Sequence, residues 1–187
     1  MKQCITTILV GLLPLLFVAC PSKAPRDSSK APGDSSEDGR RITEELGGFS
    51  YVPPKGWEPR TIPGVRFKGV FGPVSAAGYS PIILIGEVPY NGTFDAYVKS
   101  FLVDLHKQYK EVKLLQQDDF KTTAGLQCVH LVIELNGTDG RKMRQTYYLF
   151  GKGDTEYVFV CTAQADVGDK LDAEIESTMK SFRFKEK

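Results

Sequence analysis

The sequence has little of what metalloenzymes, nucleic-acid-binding proteins and membrane-spanning proteins usually need. Histidine occurs only twice in 187 residues, and no close-spaced ligand pair such as HxxxH or CxxC is present. The 24 basic and 23 acidic residues nearly cancel, so we expect no nucleic-acid partner. The long apolar run at residues 5–19 is shorter than the roughly 20 residues that a membrane-spanning helix requires.

Motifs of known catalytic chemistry are also missing. Ser75 lacks the GxSxG spacing of a nucleophile elbow, and the Gly-Lys-Gly stretch at 151–153 is too short to cradle a phosphate. The adjacent carboxylates of Asp118 and Asp119 are more typical of a solvated strand end than of an acid–base pair. We therefore expect no catalytic residue, no metal site and no cofactor, and we interpret the protein as a non-enzyme.

The N-terminus has the pattern of a secretory signal peptide. Lys2 is its one charge, the apolar run follows, and the chain becomes polar directly after Cys20. The segment Leu16-Phe17-Val18-Ala19-Cys20 resembles the lipobox of bacterial lipoproteins. That resemblance implies removal of residues 1–19 as the signal peptide and attachment of a diacylglycerol to the sulfur of Cys20. An ordinary secretory signal cleaved nearby, or an uncleaved anchor, is the alternative.

Lipidation would determine where the protein resides. Two or three acyl chains hold a protein on a membrane far more firmly than one. In lipoproteins of enteric bacteria an Asp next to the cysteine causes retention on the inner membrane, and this chain has no Asp at Pro21 or Ser22. We therefore expect a lipid-anchored protein of the bacterial cell envelope, on the outer membrane and facing the periplasm. Its first expected partner is the lipid bilayer, through acylated Cys20.

Residues 20–46 are interpreted as the lipidated N-terminus followed by a disordered tether. They contain few bulky apolar residues, and the segment Ser22–Ser28 is followed by a near copy, Ser29–Ser35. Such a segment cannot bury enough apolar area to offset the entropy lost on ordering. The globular domain is predicted to occupy residues 47–187.

Hydrophobic periodicity predicts strands, a central helix, more strands and a last helix in the globular domain. The run Ile82–Ile85 is apolar throughout, as in a strand buried on both faces. Thr93 is placed to cap the central helix, whose apolar residues recur at helical spacing up to Tyr109. Either Asp166 or Asp169 is expected to cap the last helix. The other predicted strands are 49–52, 66–71, 112–120, 127–135, 143–150 and 156–163.

Short motifs along the domain resemble the PsbP-like family, which also includes the Ran-binding Mog protein and DcrB-like bacterial lipoproteins. The segment Phe49–Trp57, with a strand, two prolines and Gly-Trp, is close to the opening of that family. The helix after Thr93 and the final Met179–Phe184 fit as well. The resemblance implies an α+β fold, an α/β/α sandwich whose mostly antiparallel sheet is covered by two main helices. It also implies a role in binding or assembly, since the family shares no catalytic chemistry.

The two cysteines of the domain, Cys128 and Cys161, are predicted to be buried free thiols. Hairpins closed at the predicted turns place Cys128 opposite Tyr148, and Tyr148 opposite Tyr157. The two cysteines would then lie roughly 15 Å apart, whereas a disulfide needs Cα atoms within about 7 Å. A disulfide would require the third strand to pair elsewhere in the sheet. Cys128 and His130 would share one strand face, where core packing is favoured over a metal pair.

Two binding functions are compatible with the sequence. The domain is expected to be an adaptor that docks another envelope protein through the loop Gly72–Pro81, whose one large side chain is Tyr79. Alternatively, it carries an apolar small molecule or lipid in the periplasm, with the aromatic side chains of the last strands as a pocket wall. We prefer the adaptor, since the apolar positions are about what two helices and a sheet need for their own core. The aromatic residues concerned are Tyr147, Tyr148, Phe150, Tyr157 and Phe159.

Overall fold

The structure, a computed structural model, describes residues 37–76, 78–109, 111–137 and 140–186. The helices in these residues are α1 (Glu37–Arg40), α2 (Phe94–Gln108) and α3 (Ala165–Lys180). The strands are β1 (Ile42–Glu44), β2 (Phe49–Tyr51), β3 (Glu58–Arg60), β4 (Gly69–Phe71), β5 (Ile82–Pro89), β6 (Val112–Lys121), β7 (Gln127–Asn136), β8 (Lys142–Lys152), β9 (Thr155–Gln164) and β10 (Arg183–Phe184).

Seven of these strands form one antiparallel sheet. Their order is β3-β4-β5-β9-β8-β7-β6, so the last four strands of the sheet are a meander in which each pairs with its neighbour in the chain. The long strand β5 pairs with β9 over its whole length. A second, three-stranded sheet has the order β1-β2-β10 and joins the two ends of the domain.

The large sheet separates two hydrophobic clusters. On one face it packs against α2, and on the other against α3 and the three-stranded sheet. The run Ile82–Ile85 serves both faces: Ile82 and Leu84 belong to the α2 side, and Ile83 and Ile85 belong to the α3 side. Burial on both faces is therefore confirmed, and so is the predicted α+β sandwich with a mostly antiparallel sheet and two main helices.

The start of α2 is confirmed in detail. The Thr93 hydroxyl accepts a hydrogen bond from the backbone N–H of Ala96 at 3.3 Å, which satisfies one of the free amides of the first turn. Asp95 lies in that turn, where the helix dipole favours a negative charge.

The predicted cap of α3 is wrong. The helix begins at Ala165, its capping position is Gln164, and that side chain makes no capping hydrogen bond. Strand β9 runs into the helix without a loop, so the helix has already begun when the chain reaches Asp166 and Asp169. Asp166 instead lies in the first turn, where its charge complements the helix dipole.

Contacts with β8 hold α3 in place. Arg144 on β8 donates to both carboxylate oxygens of Asp172, at 2.6 and 3.4 Å. Gly168 permits this close approach, because a Cβ atom at that position would lie only 2.4 Å from Cδ of Arg144. The ion pair and the small residue together fix the orientation of α3.

The domain begins earlier than predicted. The predicted tether extends to residue 46, but residues 42–44 form β1 and pair with β2. Ile42 is buried in the cluster on the α3 side. The polar composition around this short strand hides it, since pairing with β2 rather than periodicity defines it.

The predicted strand 66–71 is too long, and a neighbouring strand is missing from the prediction. Only Gly69–Phe71 pairs as β4, because the chain before it bends and places Phe67 against Phe49, with ring centroids 5.0 Å apart. Strand β3 was not predicted, since all three of its residues are exposed and Pro59 stands at its centre.

The predicted register of the meander is wrong by two residues, whereas the free thiols are confirmed. His130, rather than Cys128, lies opposite Tyr148, and Tyr148 lies opposite Phe159. The last hairpin closes through the two residues Gly153 and Asp154, so Gly151 and Lys152 belong to the strand. A shift of two residues keeps every side chain on its predicted face. Both cysteines are buried and unbonded.

Candidate functional site

A surface groove runs along the C-terminal half of α3, where residues 37–41 join the domain. Its volume is about 810 Å³, a size typical of small-molecule sites. Its other walls are the segment before β1, the residues after β2 and the turn between β6 and β7. The charged residues that line it are Arg40, Arg41, Lys55, Glu174, Lys180 and Arg183.

The lining of the groove is strongly basic. Glu174 is the one carboxylate among the described residues that line it, against five basic side chains. The C-terminal end of a helix carries a partial negative charge that stabilises nearby cations. Since α3 ends at Lys180, inside the groove, the helix dipole accounts for part of this basic lining.

Two arginines hold the N-terminal segment against the groove. Arg40 donates from Nη1 to the carbonyl of Pro53 at 3.0 Å, and Arg41 donates from Nη1 to the carbonyl of Ser181 at 3.1 Å. The second bond satisfies a carbonyl at the end of α3 that has no partner within the helix. Arg40 and Arg41 therefore have a structural role in addition to their charge.

Ser181 ends the helix and forms the floor of the groove. Its hydroxyl donates to the carbonyl of Thr178 at 2.7 Å and accepts from the backbone N–H of Val52 at 2.8 Å. The hydroxyl thus links α3 to the end of β2. These two bonds are the capping and packing contacts of the hydroxyl.

Lys55 and Arg183 are the cations that a ligand in the groove would meet first. Both are exposed, and within the described residues neither has an ion-pair or side-chain hydrogen-bond partner. Lys180, by contrast, pairs with Glu176 one turn earlier on α3, at 2.9 Å. The groove therefore offers two unpaired positive charges together with the guanidinium groups of two anchored arginines.

Sequence reasoning missed this groove. Its basic residues belong to three separate stretches: Arg40 and Arg41 before the first strand, Lys55 after β2, and the last turn of α3 with Arg183 beyond it. The adjacent arginines at the end of a polar segment were the one local signal. Periodicity and motif spacing do not show that these stretches meet.

Tyr79 and its loop lie outside the lining of the groove. The loop Gly72–Pro81 is closed by a hydrogen bond from the backbone N–H of its first residue to the carbonyl of its last, at 2.8 Å. The Tyr79 hydroxyl donates to the carbonyl of Thr162 on β9 at 3.3 Å, and its ring packs on the α2-side cluster. Tyr79 thus anchors the loop, whose exposed apolar side chain is Val74, 69% exposed. A binding role for Tyr79 stays a prediction.

The aromatic side chains of the meander are core residues. Tyr148 and Phe159 meet edge to face at 5.9 Å, and Phe150 meets Phe182 in the same way at 4.9 Å. Tyr147 is buried on the opposite face, under α2. These rings fill the space between the sheet and its covering layers, and a carrier function stays a prediction.

The thiols and the histidine of the meander are placed for packing. Burial raises the pKa of the Cys128 thiol to about 12 and also raises the pKa of Cys161, so both remain protonated and unreactive at neutral pH. The His130 ring stacks on Tyr148 at 4.7 Å, and burial lowers its pKa although Asp118 lies 3.5 Å away. No group of three or more His, Cys, Asp or Glu side chains in the described residues is placed to hold a metal ion.

The predicted lipidation site, Cys20, lies outside the described residues, as do the predicted signal peptide and most of the predicted tether. Within the part of the chain that the structure describes, no helix is long and apolar enough to cross a membrane.

Comparison with known proteins gives similarity of fold. The sequence matches no protein-family model and no curated protein. Cyanobacterial PsbP (CyanoP) from Synechocystis has a TM-score of 0.56 at 15% identity, covering 86% of this chain and 99% of that one. The fold is PsbP-like.

Two further solved structures resemble this PsbP-like domain. LpqN, which is involved in cell envelope biogenesis of Mycobacterium tuberculosis, has a TM-score of 0.55 at 12% identity, covering 83% of this chain and 87% of that one. A Pseudomonas aeruginosa protein of unknown function has a TM-score of 0.57 at 13% identity, covering 70% of this chain and 99% of that one. At such identities the likeness concerns the fold.

Proposed function

We propose that this chain is a lipid-anchored protein of the bacterial cell envelope whose PsbP-like domain is a non-catalytic binding module. The observation that carries the proposal is the basic surface groove, whose lining supplies five cationic side chains to hold a ligand. Exposed ammonium and guanidinium groups are suited to holding an anionic ligand. The similarity in fold to LpqN, a protein of envelope biogenesis, supports this cellular setting.

Anchoring is proposed at Cys20. An apolar run, a small residue and a cysteine followed by polar residues form the pattern of a lipoprotein signal, and the described domain begins within twenty residues of that cysteine. The proposed location is the outer membrane, facing the periplasm.

Metabolic labelling with a fatty acid tests the anchor. We expect the wild-type protein to take up the label and the Cys20→Ala variant to lose it completely, because the diacylglycerol is attached to that sulfur. Cys4→Ala is the matched control: Cys4 lies in the segment that is removed, so this variant should be labelled like the wild type. An unlabelled wild-type protein, or label that survives Cys20→Ala, would show that the anchor is assigned wrongly.

The proposed activity of the module is to dock another envelope protein through the exposed Val74 of the loop Gly72–Pro81, a surface separate from the groove lining. Native mass spectrometry of the protein purified from its host membranes is expected to show a second polypeptide. Replacing the exposed Val74 by Ser should weaken this association, whereas Val103→Ser on α2 serves as a control because Val103 is also an exposed valine. Tyr79 is left intact in this test because it anchors the loop.

A stoichiometric apolar small molecule or lipid that survives purification would contradict the adaptor and support a carrier. An equal effect of both valine substitutions would show that the loop Gly72–Pro81 does not contact the second polypeptide.

A further inference from the structure

We propose that the basic groove binds the phosphate groups of anionic phospholipid headgroups in the membrane to which the chain is anchored. This inference rests on the proposed lipid anchor and deepens the proposed binding function. It assigns the groove an occupant and the domain an orientation, with the groove towards the bilayer.

The first argument is the chemistry of the lining. Lys55 and Arg183 are exposed and, among the described residues, have no anionic partner, so a ligand would meet their charges directly. Guanidinium groups bind phosphate oxygens in pairs, and ammonium groups bind them as compact charges. The groove volume of about 810 Å³ leaves room for one phospholipid headgroup and the phosphate of an adjacent lipid.

The helix dipole does not account for all of this charge. Lys180 extends from the last turn of α3, and Arg41 donates to a carbonyl at its end, so both complement the partial negative charge there. Lys55 lies after β2, and Arg183 lies on β10, beyond the helix. Neither donates to a carbonyl of α3 in the described hydrogen bonds. Two of the cations therefore have no structural explanation in the fold.

The second argument is the position of the groove relative to the anchor. The described chain starts at residue 37, and Arg40 and Arg41, which line the groove, follow almost at once. Residues 21–36 separate the described domain from Cys20, and a chain of that length reaches at most about 60 Å when fully extended. The groove is thus lined by the first described residues of the chain, and an anchor at Cys20 would hold it within that distance of the membrane.

The bounded distance from an anchor at Cys20 favours lipid headgroups over an acidic segment of a partner protein. Each basic side chain near an anionic membrane contributes about 1 kcal/mol, or roughly fivefold in the binding constant. The anchor keeps the groove beside a dense array of phosphates, so a contact that is weak in solution is occupied at the surface. A soluble acidic partner would need to compete with that local concentration.

Vesicle binding tests the proposal without the acyl chains. The mature chain, residues 20–187, carrying Cys20→Ser is mixed with vesicles of phosphatidylcholine alone or of phosphatidylcholine with phosphatidylglycerol, and the bound fraction is measured by sedimentation. We expect binding to the mixed vesicles, little to the neutral ones, and a loss of binding as salt is raised to about 0.15 M and beyond.

The groove variant combines Lys55→Gln with Arg183→Gln. Binding to the mixed vesicles is expected to fall roughly 25-fold, about fivefold for each charge removed. The matched control combines Lys99→Gln on α2 with Lys113→Gln on β6, two exposed lysines outside the groove, and it should bind within about threefold of the parent. All four positions are exposed, and an unchanged urea midpoint shows that each variant is folded.

Several outcomes would overturn the inference. Equal binding to both kinds of vesicle, absence of binding to either, or an equal loss in the groove and control variants would each do so. If the groove variant of the lipidated protein loses a co-purifying polypeptide while vesicle binding is unchanged, the occupant is an acidic protein segment. Because the vesicle assay uses Cys20→Ser, its failure leaves the fatty-acid labelling result untouched, and the two proposals fail separately.

Discussion

Replacing Phe182 by Ala is expected to lower the free energy of unfolding by about 4 kcal/mol. The ring is fully buried, stacks on Phe49 with centroids 5.1 Å apart, and meets Phe150 edge to face at 4.9 Å. It lies where α3, the three-stranded sheet and the large sheet come together, so the cavity that alanine leaves cannot close without moving one of these layers. Urea unfolding followed by circular dichroism measures the change.

Leu46→Ala is the control for this prediction. Leu46 is 74% exposed, so removing its side chain should change the free energy of unfolding by no more than about 0.5 kcal/mol. If Phe182→Ala costs no more than Leu46→Ala, the two sheets are not joined through this ring.

Gln145→Ala is expected to cost about 3 kcal/mol of stability. Gln145 on β8 is buried, accepts a hydrogen bond from the Tyr147 hydroxyl at 2.6 Å and donates from Nε2 to the Thr162 hydroxyl at 3.2 Å. Removing the amide leaves two buried hydroxyls without this partner and opens a cavity beneath α2. Gln117→Ala, at an exposed position on β6, should change stability by less than about 0.5 kcal/mol.

A double-mutant cycle isolates the hydrogen bond within this group. Tyr147→Phe alone should cost about 1–1.5 kcal/mol, because it removes the hydroxyl and keeps the ring. In the Gln145→Ala background the same change should cost close to nothing, since the partner is already gone. Additive costs would mean that the two side chains are not coupled and that the cavity accounts for the whole loss.

Local patterns predicted the larger elements well, for identifiable reasons. The run Ile82–Ile85 has to be buried on both faces because every residue in it is apolar, and a capping hydroxyl at Thr93 followed by a stripe of apolar residues suits a helix. These signals depend on neighbours in the chain. They determine which segments become strands or helices and which faces are buried.

The pairing of strands across the sheets was harder to predict from the sequence. Strand β1 is three residues long and β10 only two, too short to show a period, and both exist because β2 supplies hydrogen-bond partners. The register of the meander depends on which residues each turn uses. The tight turn at Gly153 and Asp154 displaced the predicted β8–β9 pairs by two, and the turn after Asn136 displaced the β7–β8 pairs. The cap of α3 failed for a similar reason, since the strand before it continues directly into the helix.

The sequence by itself determined the class of fold, the two buried faces, the buried free thiols and the pattern on which an anchor at Cys20 is proposed. Only the tertiary structure decided the candidate site. Basic and acidic residues are almost equal in number along the chain, so the net charge does not indicate a basic site. Folding nevertheless brings Arg40, Lys55 and Arg183 to one groove, because β10 pairs with β2 and the segment before β1 lies against the end of α3. Charge is a sum along the sequence, whereas an electrostatic site depends on distances, and those distances are set by the pairing of the two ends of the domain.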